Sequence, residues 1–278
     1  TTEKMAGFFP IDGQSLGEYK GWTLVMPAVS VGNVGQIAVD LVLATAKLPK
    51  IGFWLSPSVI PVVCNDPLAT KTKKVKGSIS LAVEFFRCVD RKLVIMQRRS
   101  PLTRGGDKRF SKNITAWAEK SGFSSIIVAS SSQAYLNDQG SQNKFWCTYT
   151  NPSPKTVAVI KNLKLLYKSL SPARTLDAKS IPDSGVSAVE LLRNGSELTR
   201  ALLENAKEAK IEALAVLAQV TEGDNLVDGQ ELALLLSNLL KALGEKGVKA
   251  VIGVGKKFKI PFAYEHVYGP PPDRQIYT

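Results

Sequence analysis

Three stretches of this chain combine residue types that could do chemistry. Gly32-Asn33-Val34-Gly35 lies between a strand-like run and a helix-like run, the place where backbone amides often cradle phosphates. The dinucleotide fingerprint needs Gly-x-Gly-x-x-Gly, and Ser30 stands where its first glycine belongs. Packing of a helix onto a strand is therefore the favoured reading. Gly253-Val254-Gly255-Lys256-Lys257 partly matches a phosphate loop, but Ala250 replaces its leading glycine and Lys257 stands where Ser or Thr would hold magnesium. Ser130-Ser131-Ser132 follows a strand-like run without the Gly-x-Ser-x-Gly elbow of a nucleophile. The single histidine, His266, falls after the last expected core element. Asp40 and Glu222-Gly223-Asp224 supply carboxylates that capping and turn roles explain. Cys64, Cys88 and Cys147 are widely spaced with no Cys-x-x-Cys, so a zinc site is excluded and three reduced thiols are expected. No catalytic, cofactor or metal site is expected.

The elements that position these residues read as α/β. Trp22 to Met26 is a short apolar strand stopped by Pro27. Val34, Ile37, Ala38, Leu41, Val42 and Thr45 then recur at helical spacing, with Asn33 as cap, until Pro49. Ile51 to Leu55 is the next strand, which makes a βαβ crossover and so parallel strands. Ile79, Leu81, Val83 and Phe85 alternate with small or polar residues as one half-buried strand. A turn at Cys88 to Arg91 returns through Leu93 to Met96, so the sheet is mixed. A helix is expected over about 111–121, and Ile126 to Ala129 is a buried strand. Residues 137–187 hold four prolines and little periodicity, which reads as an irregular insertion. Leu198 to Ala209 is a helical stripe and Ala213 to Val220 a central strand. Asp228-x-x-Glu231 opens the last long helix, which Gly244 ends. The alternation specifies a single three-layer α/β/α sandwich with a mixed, largely parallel central sheet. Its expected layout is a partly irregular segment 1–20, a domain over 21–269 and a proline-rich tail over 270–278.

The chain has 278 residues and a formal net charge of +12, which fits an acidic partner without choosing one. No apolar run approaches the ~18 residues of a membrane span, and the first residues lack a secretory pattern. The basic residues gather at Lys71, Lys73, Lys74 and Lys76, at Arg98, Arg99, Arg104, Lys108 and Arg109, and at Lys246, Lys249, Lys256, Lys257 and Lys259. Aromatics are not interleaved at stacking spacing. Solvated loops are the first reading, an acidic protein surface the second, a nucleic acid the third.

The tail carries the clearest binding signal. Gly269 and Pro270-Pro271-Pro272 favour an extended, semi-rigid spacer, with a reach of roughly 25–30 Å. Ile276, Tyr277 and the Thr278 carboxylate then form a compact recognition element: an apolar plug, a large ring with a hydroxyl, and a charge.

Leu24-Val25-Met26-Pro27-Ala28-Val29-Ser30-Val31-Gly32-Asn33-Val34-Gly35-Gln36, running into Asp40-Leu41, closely resembles the N-terminal signature of the proteasome assembly chaperone 2 family. Four further blocks agree in order: Asn65 to Thr70; Ile126 to Ser132 with Tyr135; Glu222 to Asn225; and Phe258-Lys259-Ile260-Pro261 with Tyr268-Gly269. The resemblance implies a non-enzymatic chaperone without cofactor. Its implied partners are proteasome assembly chaperone 1, in a heterodimer, and the α subunits of the proteasome core particle, on the outer face of the α ring. There the pair would promote ring assembly, oppose off-pathway ring dimers and block premature regulator docking. Carboxyl-terminal hydrophobic–tyrosine–any tails of the family enter pockets between α subunits, and that pattern falls on Ile276, Tyr277 and Thr278, which resembles the fungal-type version. The implied location is the cytoplasm, with the nucleus as a second site. A nucleoside-phosphorylase-like enzyme, whose architecture is similar to the family's, and a basic nucleic-acid binder are the alternatives. The loop Pro27 to Gly35 and the segment Asn65 to Thr70 are expected near the carboxyl-end rim of the sheet, in packing or partner contact.

Overall fold

In the computed structural model, residues 7–11, 19–70, 78–134, 144–163, 166–169, 197–244 and 257–265 are described. The sheet strands among them are β1 (Gly7–Pro10), β2 (Thr23–Pro27), β3 (Lys50–Leu55), β4 (Val63–Asn65), β5 (Ile79–Leu81), β6 (Val83–Cys88), β7 (Leu93–Arg98), β8 (Ser125–Gln133), β9 (Phe145–Thr150), β10 (Leu166–Ser169) and β11 (Glu212–Val220). The helices are α1 (Val34–Ala46), α2 (Gly106–Lys120), α3 (Pro154–Asn162), α4 (Glu197–Glu208), α5 (Leu226–Leu243) and the short α6 (Phe262–Glu265).

Nine strands make the main sheet in the order β1-β3-β6-β7-β2-β8-β11-β9-β10, and β4 and β5 pair apart from it. Its centre, β7-β2-β8-β11, is parallel. Its flanks bring in antiparallel pairs: β1–β3–β6–β7 on one side and β11–β9 on the other. Successive side chains on these central strands alternate between two apolar layers. Leu24, Met26, Val94, Met96, Ile126 and Val128 face α2 and α4. Val25, Ile95, Ile127, Ala129, Leu214 and Val216 face α1, α3 and α5. Strands buried on both faces read as near-continuous apolar runs, as Leu24-Val25-Met26 does. The architecture is the expected α/β/α sandwich.

Helix α1 lies so close to the sheet that a Cβ on Gly35 would come 2.3 Å from the Ala129 carbonyl oxygen. This position tolerates no side chain without backbone movement, and it fixes the first turn of α1 against β8.

Several expectations change in detail. The β2-α1-β3 crossover joins strands of the same direction, but the β6–β7 hairpin lies between them. The single strand expected across Ile79 to Phe85 is broken at Ala82: β5 leaves to pair with β4, and Ile79 is 65% exposed. The buried Glu84 carboxylate accepts the Leu81 N–H at 3.1 Å and an ion pair from Lys50 at 2.6 Å, which holds the break. Helix α2 begins at Gly106 rather than near 111, after Gly105 at φ 70°. Asp228 does not open α5. Asn225 precedes its first residue, and the Asp224 carboxylate takes the Leu226 N–H at 3.1 Å. The stretch read as an irregular insertion carries β9, α3 and β10 where it is described, because β9 needs only six residues to complete a register with β11. Its Pro154 serves α3, in the first turn behind the Ser153 cap. No helix among the described residues is long and apolar enough to cross a membrane.

Candidate functional site

Helix α1 is apolar over nearly its whole length, yet Asp40, in its middle, is 1% exposed. An ionised carboxylate in such a place must be fully paired. Arg99, just past β7, supplies a bidentate grip: NH1 to Oδ2 at 2.7 Å and NH2 to Oδ1 at 2.8 Å. Gln97 donates Nε2–H to Oδ1 at 2.6 Å. The Tyr264 hydroxyl, from α6, donates to Oδ2 at 2.7 Å. Each carboxylate oxygen thus accepts two bonds, which exhausts its lone-pair capacity. Burial works against the Arg99 charge, but the Asp40 carboxylate outweighs it and the guanidinium pKa rises. Burial and then the adjacent Asp40 charge push the Tyr264 phenol pKa up, so it stays a donor.

Around this hub, α1 is stitched to the end of β7. Gln36 Nε2 donates to the Arg98 carbonyl at 2.7 Å, and Gln97 Nε2 also reaches the Gln36 carbonyl at 3.0 Å. A cleft of about 260 Å³ opens beside the hub, lined by Gly32, Gln36, Asp40, Arg99, Asn225 and Tyr264 among others. It lies by the carboxyl ends of the parallel strands, where open α/β sheets bind ligands. Here the chain fills part of that position itself. Asn225 fills the space over Gly32, with Nδ2 2.2 Å from where a Cβ would stand at φ 62°. The hydroxyls of Ser30 and Ser131 are 2.7 Å apart, and Ser30 Oγ accepts the Ser131 N–H at 2.9 Å. Glu222 and Asp224, both exposed, put negative charge at the mouth, the wrong sign for a phosphate. The glycine loop packs; it does not cradle.

The serine run is likewise structural. Ser130, Ser131 and Ser132 lie inside β8, not beyond it, and all are 0% exposed. Thr199 Oγ1 donates to Ser130 Oγ at 3.1 Å. Asp40 has all four acceptor positions taken by the protein's own donors. No cluster of three metal-ligating side chains occurs among the described residues. Cys147 is buried and Cys64 and Cys88 half-buried, all as thiols, and burial raises the Cys147 pKa.

Two members of the basic cluster at 98–109 are not solvated. Arg98 is 2% exposed, donates NH1 to the Ser100 carbonyl at 2.8 Å and lies over the Phe110 ring. Burial brings its pKa down to about 10. Arg99 is the hub. Only Arg104, Lys108 and Arg109 of that cluster are exposed, which shortens any stripe available to a nucleic acid.

Residues 257–265 run along α1 in the opposite direction to it. The Lys259 N–H donates to Thr45 Oγ1 at 2.9 Å, the Phe262 N–H to the Ala69 carbonyl at 2.8 Å, and Tyr264 to Asp40. Phe258, Ile260 and Tyr264 pack on the α1-side core. The segment is therefore aimed from the C-terminal end of α1 towards the carboxyl-end rim. Asn65 to Thr70, expected at that rim, instead lies towards the other end of α1, where Asp66, Leu68 and Thr70 border a cavity of about 360 Å³ with Leu43, Lys47 and Lys50. Ile276, Tyr277 and Thr278, with the whole stretch 270–278, lie outside the described residues, as do Tyr135 and His266.

The sequence blocks at 24–41, 65–70, 126–132, 222–225 and 258–261 thus converge on one helix, α1. The sequence reading missed this hub, and assigned Asp40 to capping. The available signal was a charged residue inside an apolar helical stretch, where burial demands a partner.

A three-layer α/β protein whose carboxyl-end crevice is partly filled by its own side chains, with a C-terminal segment bound along one helix, is what the geometry defines. The chain belongs to the PAC2 family, whose model matches residues 24–249. It is 32% identical over 231 residues to proteasome assembly chaperone 2 of Mus musculus, covering 83% of this chain and 86% of that protein. With proteasome assembly chaperone 2 of Homo sapiens it shares 31% identity over 258 residues, 92% of this chain and 95% of that one. Among solved structures, Pyrococcus furiosus PbaA, an archaeal homolog of proteasome-assembly chaperone, superposes with a TM-score of 0.57 at 13% identity, over 84% of this chain and 86% of that chain. Pyrococcus furiosus PbaB, an archaeal proteasome activator, gives 0.54 at 12% identity, over 86% and 90%. These two likenesses speak to the fold.

Proposed function

We propose that this chain is a proteasome assembly chaperone that acts by binding and not by catalysis. It pairs with proteasome assembly chaperone 1, and the pair binds the outer face of the α-subunit ring of the core particle in the cytoplasm and nucleus. There it promotes ring assembly and opposes ring dimerisation and early regulator docking. Its terminal arm inserts Ile276 and Tyr277 into an apolar slot between α subunits, and the Thr278 carboxylate meets a lysine there. Kinship with proteasome assembly chaperone 2 proteins over most of the chain supports the role.

The observation that carries the mechanism is the binding of residues 257–265 across α1, which gives the arm a fixed root. Thirteen residues, 266–278, follow it, long enough to extend about 43–47 Å. A proline spacer limits the entropy lost when such an arm becomes ordered, and contacts from two chaperones add through effective concentration. The test is co-purification of the tagged intact chain and of a chain ending at Gln275. The intact chain is expected to bring down one sister chaperone and α subunits; the shortened chain keeps the sister and loses α subunits. Absence of proteasome subunits from the intact chain's partners would end this reading.

A further inference from the structure

We infer that Tyr264, held by Asp40, is a positioning residue for the terminal arm: it sets the point and direction in which the arm leaves the globule. The inference rests on the arm being the element that binds the α ring. Helix α6 has four residues, far too few to hold its own shape in water. Its geometry comes from tertiary bonds, two of them to α1 and one to the segment after β4. Thr45 holds Lys259, Ala69 holds Phe262, and Asp40 holds Tyr264. The Tyr264 bond is the rung nearest the arm. Its acceptor, Asp40, is in turn held in a buried ion pair by Arg99, which follows directly on β7.

Releasing that last rung would loosen residues 263–265, beyond the Phe262 rung, and the arm's tip would sample a larger volume. Its effective concentration at an α-ring pocket falls accordingly. Asp40 would keep Arg99 and Gln97 as donors, so the fold should stand. Tyr264→Phe therefore isolates the positioning role, and Thr45→Val, which removes the acceptor of the Lys259 rung, is a second and independent probe.

The experiment is a double-mutant cycle on the full chain with its sister chaperone, reading Kd for isolated core particles. The four proteins are the intact chain, Tyr264→Phe, a chain ending at Gln275, and the combination. Tyr264→Phe should weaken binding roughly 1.5- to 2-fold in the intact chain, the fall in effective concentration for a tether lengthened by a few residues, and leave the shortened chain unchanged. Thr45→Val should act in the same direction. An unchanged Kd for Tyr264→Phe, or an equal loss with and without the arm, overturns the inference while leaving the arm's role intact. A shortened chain that binds as tightly as the intact one would instead remove the arm's role itself, and the inference with it.

Discussion

Tyr264 Oη lies 2.7 Å from Asp40 Oδ2, across a sequence separation of 224 residues. One bond thus ties the end of the N-terminal family signature to the last described element of the chain. It turns α1 from a core helix into a platform on which the C-terminal segment is mounted.

The Asp40–Arg99 pair is nearly out of water, with side-chain exposures of 1% and 10%. Removing one partner of a buried pair costs about 3–5 kcal/mol, because the other charge is left uncompensated. Asp40→Asn also turns an acceptor into a donor facing Gln97 and Arg99. A fall in Tm of roughly 6–15 °C is expected, read by thermal denaturation followed by circular dichroism. A shift below about 2 °C would mean the hub is solvated.

Tyr264 gives a pH signature at the alkaline end. Its pKa is raised above the ordinary 10.0 by burial and then by Asp40, so the folded chain favours the protonated phenol. The stabilisation is complete below the unfolded pKa of about 10 and is lost as pH rises from there towards the folded value. Denaturant titrations between about pH 9 and 11 should show a stability loss that Tyr264→Phe reduces. Identical slopes in both proteins would place the phenol in solvent.

The alternation of helices and strands and the turn between β6 and β7 could be read from periodicity. The hub could not. Asp40, Gln97, Arg99 and Tyr264 are joined by topology, which places the end of β7 beside α1 only because the β6–β7 hairpin intrudes between β2 and β3. A helix, a strand end and a distant C-terminal segment share no local pattern. The break at Ala82 escaped for a related reason: an alternating run gives no sign that its first half pairs elsewhere. The segment at 145–169 looked irregular because its strands are short and its Pro154 serves a helix start.

The glycine loop offers a sharper test of packing against ligand binding. Gly35 faces the Ala129 carbonyl with no room for a methyl group. Gly35→Ala should destabilise the chain by about 1–3 kcal/mol through overpacking, seen as a lower denaturant midpoint. Adding inorganic phosphate should not raise the midpoint of the unsubstituted protein beyond the general effect of salt. A specific, saturable phosphate stabilisation would restore the nucleotide or phosphorolysis reading.

The arm's role is tested most directly by the affinity of the chaperone pair for core particles with and without Ile276, Tyr277 and Thr278. Losing the apolar plug, the tyrosine and the carboxylate together should weaken Kd at least tenfold, while melting temperature and pairing with the sister chaperone stay the same. An unchanged Kd for the shortened chain would contradict the account.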